Sequence, residues 1–202
     1  VFADAKIAKL IADRLRDRDA LRKAKVFPFQ LLSAYTAASQ NREIPREITE
    51  ALQDAMEVAI ENVPEIDGKV YVFPDVSGSM SSPVTGVRRG STSTVRCIDI
   101  AGLVASEILR KNPTAEILPF ENGVVDVRLN PRDSVMTNAR KLASVGGGGT
   151  NCSAPLFELN RKKAKGDLVI YVSDNESWID TNRSWNSGTE TMKQWNEFKS
   201  RN

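Results

Sequence analysis

The sequence predicts an α/β fold, a doubly wound parallel sheet with an α-helical segment in front of it. Three observations carry this. Apolar residues recur at three-to-four spacing up to about Pro64, strand and helix patterns alternate after Gly68, and two apolar runs, 70–73 and 168–172, each end within two residues of an aspartate. Ligands of open α/β sheets bind at the carboxyl ends of parallel strands, so Asp75 and Asp174 point to one shared site.

The elements follow in order. Ile7, Leu10, Ile11 and Leu15 give a first helical face, Leu31, Leu32 and Tyr35 a second, and Ile48, Leu52, Met56, Ala59 and Ile60 a third. The stretch Val26-Phe27-Pro28-Phe29 separates the first two helices, and Pro45 suits an early helical position, with Glu47 and Glu50 in the favourable first turns. Three short helices bury little by themselves, so residues 1–65 read as the end of a helical array. A second region, 68–202, begins with strand 70–75 and a helix over about 94–110 that contains Ile98, Leu103, Val104 and Ile108. Ala115 to Phe120 and Val124 to Leu129 bracket Glu121-Asn122-Gly123, which has hairpin chemistry. A helix near 133–143, a glycine run at 146–149, a helix near 153–163, strand 168–173 and a helix near 189–199 complete the pattern, with right-handed crossovers expected. A sheet of this kind is expected to carry at least one more strand and helix. The region therefore reads as incomplete at its C-terminal end, with an exposed sheet edge.

Asp75-Val76-Ser77-Gly78-Ser79 places one carboxylate and two hydroxyls on a tight loop behind the first strand. Hard oxygen donors suit Mg²⁺ first and Mn²⁺ second. The same residues also read as a strand followed by a Ser/Gly turn that Asp75 caps. Gly146-Gly147-Gly148-Gly149-Thr150-Asn151 adds a hydroxyl on a glycine-rich loop, and Asp174 adds the second carboxylate.

These stretches carry a resemblance. Asp75, Ser77, Ser79, Thr150 and Asp174 match the metal-ion-dependent adhesion site of von Willebrand factor type A (VWFA) domains, which are Rossmann-like. The strings DVSGSM at 75–80, GGGTNCSAP at 147–155 and SDNESW at 173–178 resemble the Ro (TROVE-domain) RNA-binding proteins in particular. The resemblance implies that Asp75, Ser77, Ser79, Thr150 and Asp174 are metal ligands. It also implies that residues 1–65 correspond to the last helices of a HEAT-like ring, to which VFPFQLLSAY at 26–35 is similar.

Composition sets limits on the class. At 202 residues, 41% apolar and 27% charged, the chain reads as a soluble folded protein, and no uninterrupted apolar stretch approaches a membrane span. Asp4, Lys6 and Lys9 interrupt any signal-peptide pattern, and Cys97 and Cys152 are too few for a disulfide scaffold, so both are expected to stay reduced in cytoplasm. The chain has no histidine, which removes zinc–histidine chemistry and every His-based triad. The glycine run lacks the Lys-Ser/Thr ending of a P-loop, and Cys152 has no evident activator and reads as a small buried residue. A binding module is expected. A metal-dependent nuclease or phosphatase is the weaker alternative, and a metal-dependent protein-interaction module the stronger one.

The net charge of +2 is uneven: residues 1–25 hold eight basic against four acidic side chains, 41–67 two against eight, and 68 onward eighteen against fourteen. Arg88, Arg89 and Arg96 lie just beyond the metal-type loop among hydroxyls and a helix start, the groups that position phosphates, and are the RNA-binding candidates. Their other reading is a solvated polar loop. Arg161, Lys162, Lys163 and Lys165 form a denser cluster at a helix end, and Arg14, Arg16, Arg18, Arg22 and Lys23 a basic stripe. Trp178, Trp185 and Trp195 suit base stacking, packing or an interface equally. The Ro resemblance implies binding of small noncoding Y RNA and of misfolded RNA 3′ ends in RNA quality control. An exoribonuclease tethered through RNA is a further implied partner.

Overall fold

Four helices come first: α1 (Ala5–Leu15), α2 (Arg18–Ala24), α3 (Pro28–Gln40) and α4 (Arg46–Ala59). The structure is a computed structural model and describes residues 5–86, 94–174 and 189–202. The periodicity of α4 is borne out, since Ile48, Leu52, Met56 and Ala59 are all buried. Where the sequence reads three helices there are four. The extra one, α2, is seven residues long and buries Leu21 alone, so it has no apolar stripe to read. Asp17 caps it by accepting from the Ala20 N–H at 3.0 Å. Pro28 opens α3, and the Gln30 side chain reaches back to accept from the Phe27 N–H at 2.8 Å. Pro45 stands just outside α4 and not inside its first turn.

After a 3₁₀ turn the chain enters strand β1 (Val70–Pro74), then α5 (Cys97–Lys111), β2 (Glu116–Ile117), α6 (Val135–Ala143), α7 (Ala154–Arg161), β3 (Leu168–Val172) and α8 (Glu190–Lys199). The sheet is parallel with order β2-β1-β3, Val72 facing Ile117 on one side and Ile170 on the other. β1 is buried along its whole length because both faces of the sheet are covered. Tyr71 and Phe73 pack with Leu118, Phe120, Leu156, Leu159 and Phe198, toward α7 and α8. Val70 and Val72 alternate to the other face and meet Ala105, Ile108 and Leu142, toward α5 and α6. β3 is half-buried, and Leu168 at its start is exposed.

α5, which follows β1, packs on one face of the sheet and α8, which follows β3, on the other, an arrangement that opens a crevice at the carboxyl ends of these two strands. That crevice holds the site. The expected hairpin after β2 is reduced to a single bridge between Phe120 and Val124, and 124–129 forms no strand. Val127 and Leu129 instead pack onto the α5/α6 face of the sheet, which draws this segment away from ladder pairing.

A single hydrophobic cluster joins the helical segment to the α/β part. Leu32, Met56 and Ile60 meet Val95, Leu103, Val135, Met136 and Ala139. Between them, Asn112 ends α5 and holds the linker: its amide donates to the Ile108 and Pro64 carbonyls at 3.1 and 3.3 Å, and its oxygen accepts from the Ile66 N–H at 2.8 Å. Glu107 of α5, only 3% exposed, accepts from the Phe29 N–H at the start of α3 at 2.9 Å. Burial pushes this carboxyl up to about 8, and the Phe29 N–H offsets that only in part.

Candidate metal centre

Asp75 stands where β1 ends, and neighbouring strands hold its backbone: its N–H donates to Val172 and the next N–H, of Val76, donates to Phe120, both at 2.9 Å. The carboxylate is fully buried. One oxygen accepts from the Ser77 N–H at 2.9 Å and the other from the Ser173 hydroxyl at 2.7 Å. Among the described residues no lysine or arginine pairs with it. A buried carboxylate without a protein counter-charge suits a cation.

Three hydroxyls gather beside it. Thr150 donates to the Ser77 oxygen at 2.9 Å, and the Ser77 and Ser79 oxygens lie 3.2 Å apart. Ser77 and Thr150 are each 1% exposed, so these oxygens turn toward one another and away from bulk water. Among the described residues no three His, Cys, Asp or Glu side chains converge, so hydroxyls dominate the donor set. One carboxylate with several neutral oxygens fits Mg²⁺ or Mn²⁺ better than a metal that favours sulfur or imidazole.

Backbone bonds bring the two loops together. The Gly78 N–H donates to the Gly148 carbonyl at 2.8 Å, and the Gly147 N–H to the Val76 carbonyl at 2.9 Å. Gly146 has φ +87°, and a β-carbon there would sit 2.1 Å from the Val76 oxygen, so only glycine lets the two loops close on one another. The turn at Glu121 and Asn122 then braces the glycine loop from outside. Glu121 accepts from the Gly148 N–H at 2.6 Å, Asn122 from the Gly149 N–H at 3.2 Å, and the Asn151 N–H donates to the Glu121 carbonyl at 2.8 Å. In sequence these residues read only as a turn. The missed signal is an acid and an amide at a turn that itself sits at a strand end.

The structure thus brings Asp75, Ser77, Ser79 and Thr150 into one hydrogen-bonded cluster. Asp174 follows Ser173, the residue that bonds Asp75, and lies near enough to Cys97 to add to the effect of burial in pushing that thiol up. Cys97 and Cys152 are both half-buried, Cys152 less enclosed than expected. Arg96 caps α5, its N–H and guanidinium both bonded to Asp99, and is therefore already paired. Arg88 and Arg89, and with them Trp178 and Trp185, lie outside the described residues. Trp195 packs against Phe198 at 6.0 Å between ring centres. Much of the basic stripe is neutralised: Arg14 pairs with Asp17, Arg16 with Asp54 and Arg18 with Glu61, while Arg161 and Lys162 share Glu158.

The model of the Ro60 vWA domain matches residues 69–197, well over half of the chain. The chain belongs to the Ro60 vWA domain family. This Ro60-family chain is 28% identical over 185 residues to the RNA-binding protein RO60 of Deinococcus radiodurans, an alignment covering 87% of the chain and 34% of that protein. It is 25% identical over 183 residues to the RNA-binding protein RO60 of Caenorhabditis elegans, covering 87% and 28%. The chain therefore spans about a third of the length of these curated relatives. The crystal structure of the Deinococcus radiodurans RO (RSR) protein superimposes over 100% of the chain and 40% of its own, with a TM-score of 0.76 at 22% identity, and so shares its fold. The domain model begins at Lys69, whereas the structural match covers the helical segment as well. Among the described residues no helix is long and apolar enough to cross a membrane.

Proposed function

We propose that this chain is part of an RNA-binding protein of the Ro type, acting as a binder and not as an enzyme, with a divalent-metal site at the strand-end cluster. The observation that carries the reading is the fully buried Asp75, joined through the Ser77 N–H to a cluster of the Ser77, Ser79 and Thr150 hydroxyls, in a chain of the Ro60 vWA family. Its relatives named for RNA binding support the ligand class. In this reading the RNA is a Y-type small noncoding RNA or the single-stranded 3′ end of a misfolded RNA, the setting is cytoplasmic RNA quality control, and an exoribonuclease joins through the RNA.

Asp75, Ser77, Ser79 and Thr150 would hold the ion, with Asp174 from the third loop completing the set. Bound there, Mg²⁺ supplies a Lewis-acidic position for an anionic group. Asp75 supplies the charge that retains the ion, the hydroxyls supply neutral oxygens, and Glu121 and Asn122 keep the glycine loop in place. The chain's lack of histidine leaves the loops without the commonest general base, consistent with bound RNA remaining intact.

One observation favours a second reading. Arg96 and three arginines of the N-terminal stripe are already paired with carboxylates, which weakens the field available to phosphates. A metal-dependent protein-interaction module needs no such field. The deciding experiment titrates the full-length protein with a structured RNA bearing a single-stranded 3′ tail, at several salt concentrations, in Mg²⁺ and in EDTA. Binding of uncleaved RNA with a steep salt dependence is expected. No RNA binding, together with a Mg²⁺-dependent protein complex, would replace the RNA reading by the interaction module. Cleavage lost in Asp174→Ala would replace it by a nuclease.

A further inference from the structure

Beyond the metal centre, two clefts differ in charge. One, about 650 Å³, opens beside the glycine loop and is edged by Asp126, Glu158 and Glu190 against Lys162. Its carboxylates repel phosphate. The other, about 460 Å³, lies between α3 of the helical segment and α5 and α6 of the α/β part. Its floor is apolar, Leu32, Met136 and Ala139 from the cluster that joins the two regions. Its rim carries Arg96 and Arg140 against the single carboxylate Asp99, which Arg96 already engages. Arg140 forms no ion pair among the described residues. Its guanidinium donates to the Tyr35 hydroxyl at 3.0 Å, a contact that spans 105 residues of sequence and adds no counter-charge.

We propose that this cleft binds one nucleotide unit of single-stranded RNA, with the phosphate on Arg140 and the base over the apolar floor. The inference rests on the RNA-binding reading and gives it a second contact surface, separate from the strand-end cluster. Three features fit this occupant. The volume lies within the range of small-ligand sites and accommodates a nucleotide, an apolar floor with few polar groups at its rim is the usual lining, and a planar guanidinium binds phosphate by paired N–H bonds. Gln40, on the same rim, offers an amide for a base edge. Tyr35 is half-buried, its ring packed against the core, so it acts as a positioning residue that fixes Arg140 through the hydroxyl.

The experiment uses the full-length protein, with the tailed structured RNA and a photoreactive ten-nucleotide single-stranded RNA as probes. Arg140→Ala should weaken decamer binding about tenfold and lower the salt slope by about one counterion, while Arg140→Lys restores most of the slope. Tyr35→Phe should weaken binding by about threefold and leave the slope unchanged, because the charge remains and only its aim is lost. Crosslinks should map to residues 32–40 or 136–144. If the wild type binds the decamer and Arg140→Ala binds it with equal affinity and slope, or if crosslinks fall only elsewhere, the cleft assignment is overturned and the RNA reading survives. If the wild type binds neither probe, the RNA reading falls and this inference with it. Displacement of the crosslink by an acidic peptide but not by unlabelled RNA would overturn it in favour of a protein ligand.

Discussion

Two buried acids mark two regions of this molecule, and they live in opposite surroundings. Asp75, at the strand ends, receives the Ser77 N–H and the Ser173 hydroxyl, and Ser77 in turn belongs to a cluster of hydroxyls with Ser79 and Thr150. Glu107, at the joint between α3 and α5, receives one backbone N–H from Phe29 and is otherwise enclosed by the packed helices. The same functional group lies at one end beside hydroxyls, where we propose the ion, and at the other serves as a neutral hydrogen-bonding wedge. What decides between these is the number of polar neighbours, not the degree of burial.

The sharpest way to break this contrast is to remove Asp75. Asp75→Ala should lower Mg²⁺ or Mn²⁺ affinity by about 100-fold or more, read by calorimetric titration, because it deletes the ligand that carries the charge. Glu107→Ala should leave that titration unchanged. Equal metal binding in wild type and Asp75→Ala would end the metal reading.

The second test concerns pH at the joint. Glu107 holds its proton in the folded state up to about 8, far above the ordinary carboxyl value of 4.5, so the folded protein binds more protons than the unfolded one across that interval. Stability from this group is thus complete below pH 4.5, declines as pH rises, and is lost above about 8. Denaturant unfolding should show a loss on the order of 3 kcal/mol between pH 5 and pH 9. In Glu107→Gln, which keeps an oxygen for the Phe29 N–H, that slope should vanish. A slope that persists in Glu107→Gln would assign the pH dependence to other groups.

The smallest expected effect comes from the glycine loop. Gly146→Ala places a methyl against the Val76 carbonyl and strains a positive φ, and should cost about 2 kcal/mol of stability. It should also weaken metal binding, since the contact carries Thr150 toward Ser77. Gly123→Ala, where a β-carbon meets nothing within 4 Å, is the control that should do neither.

Much of the fold was legible. The buried strands β1 and β3, the helices α4 to α8 and the positions of Asp75, Ser77, Ser79 and Thr150 all follow from local pattern, because strand runs, helix periodicity and loop punctuation are written within a few residues of one another. The failures share a cause as well. α2 is too short to show a stripe, the segment 124–129 gives up strand pairing to cover the sheet, and Glu121 and Asn122 brace a loop 27 residues away. None of those partners lies in the local window.

By itself the sequence determined that two strand ends carry carboxylates beside hydroxyl-rich and glycine-rich loops, since side-chain chemistry and short-range spacing are properties of the chain. Only the tertiary structure decided that Asp75 is buried with no basic partner among the described residues, that Glu107 is neutral at the α3–α5 joint, that the N-terminal arginines are mostly paired, and that Arg140 meets Tyr35 across 105 residues. Charge compensation, desolvation and cleft shape depend on which distant surfaces pack together. That choice is made by the shared core of Leu32, Met56, Leu103 and Val135, not by any one segment.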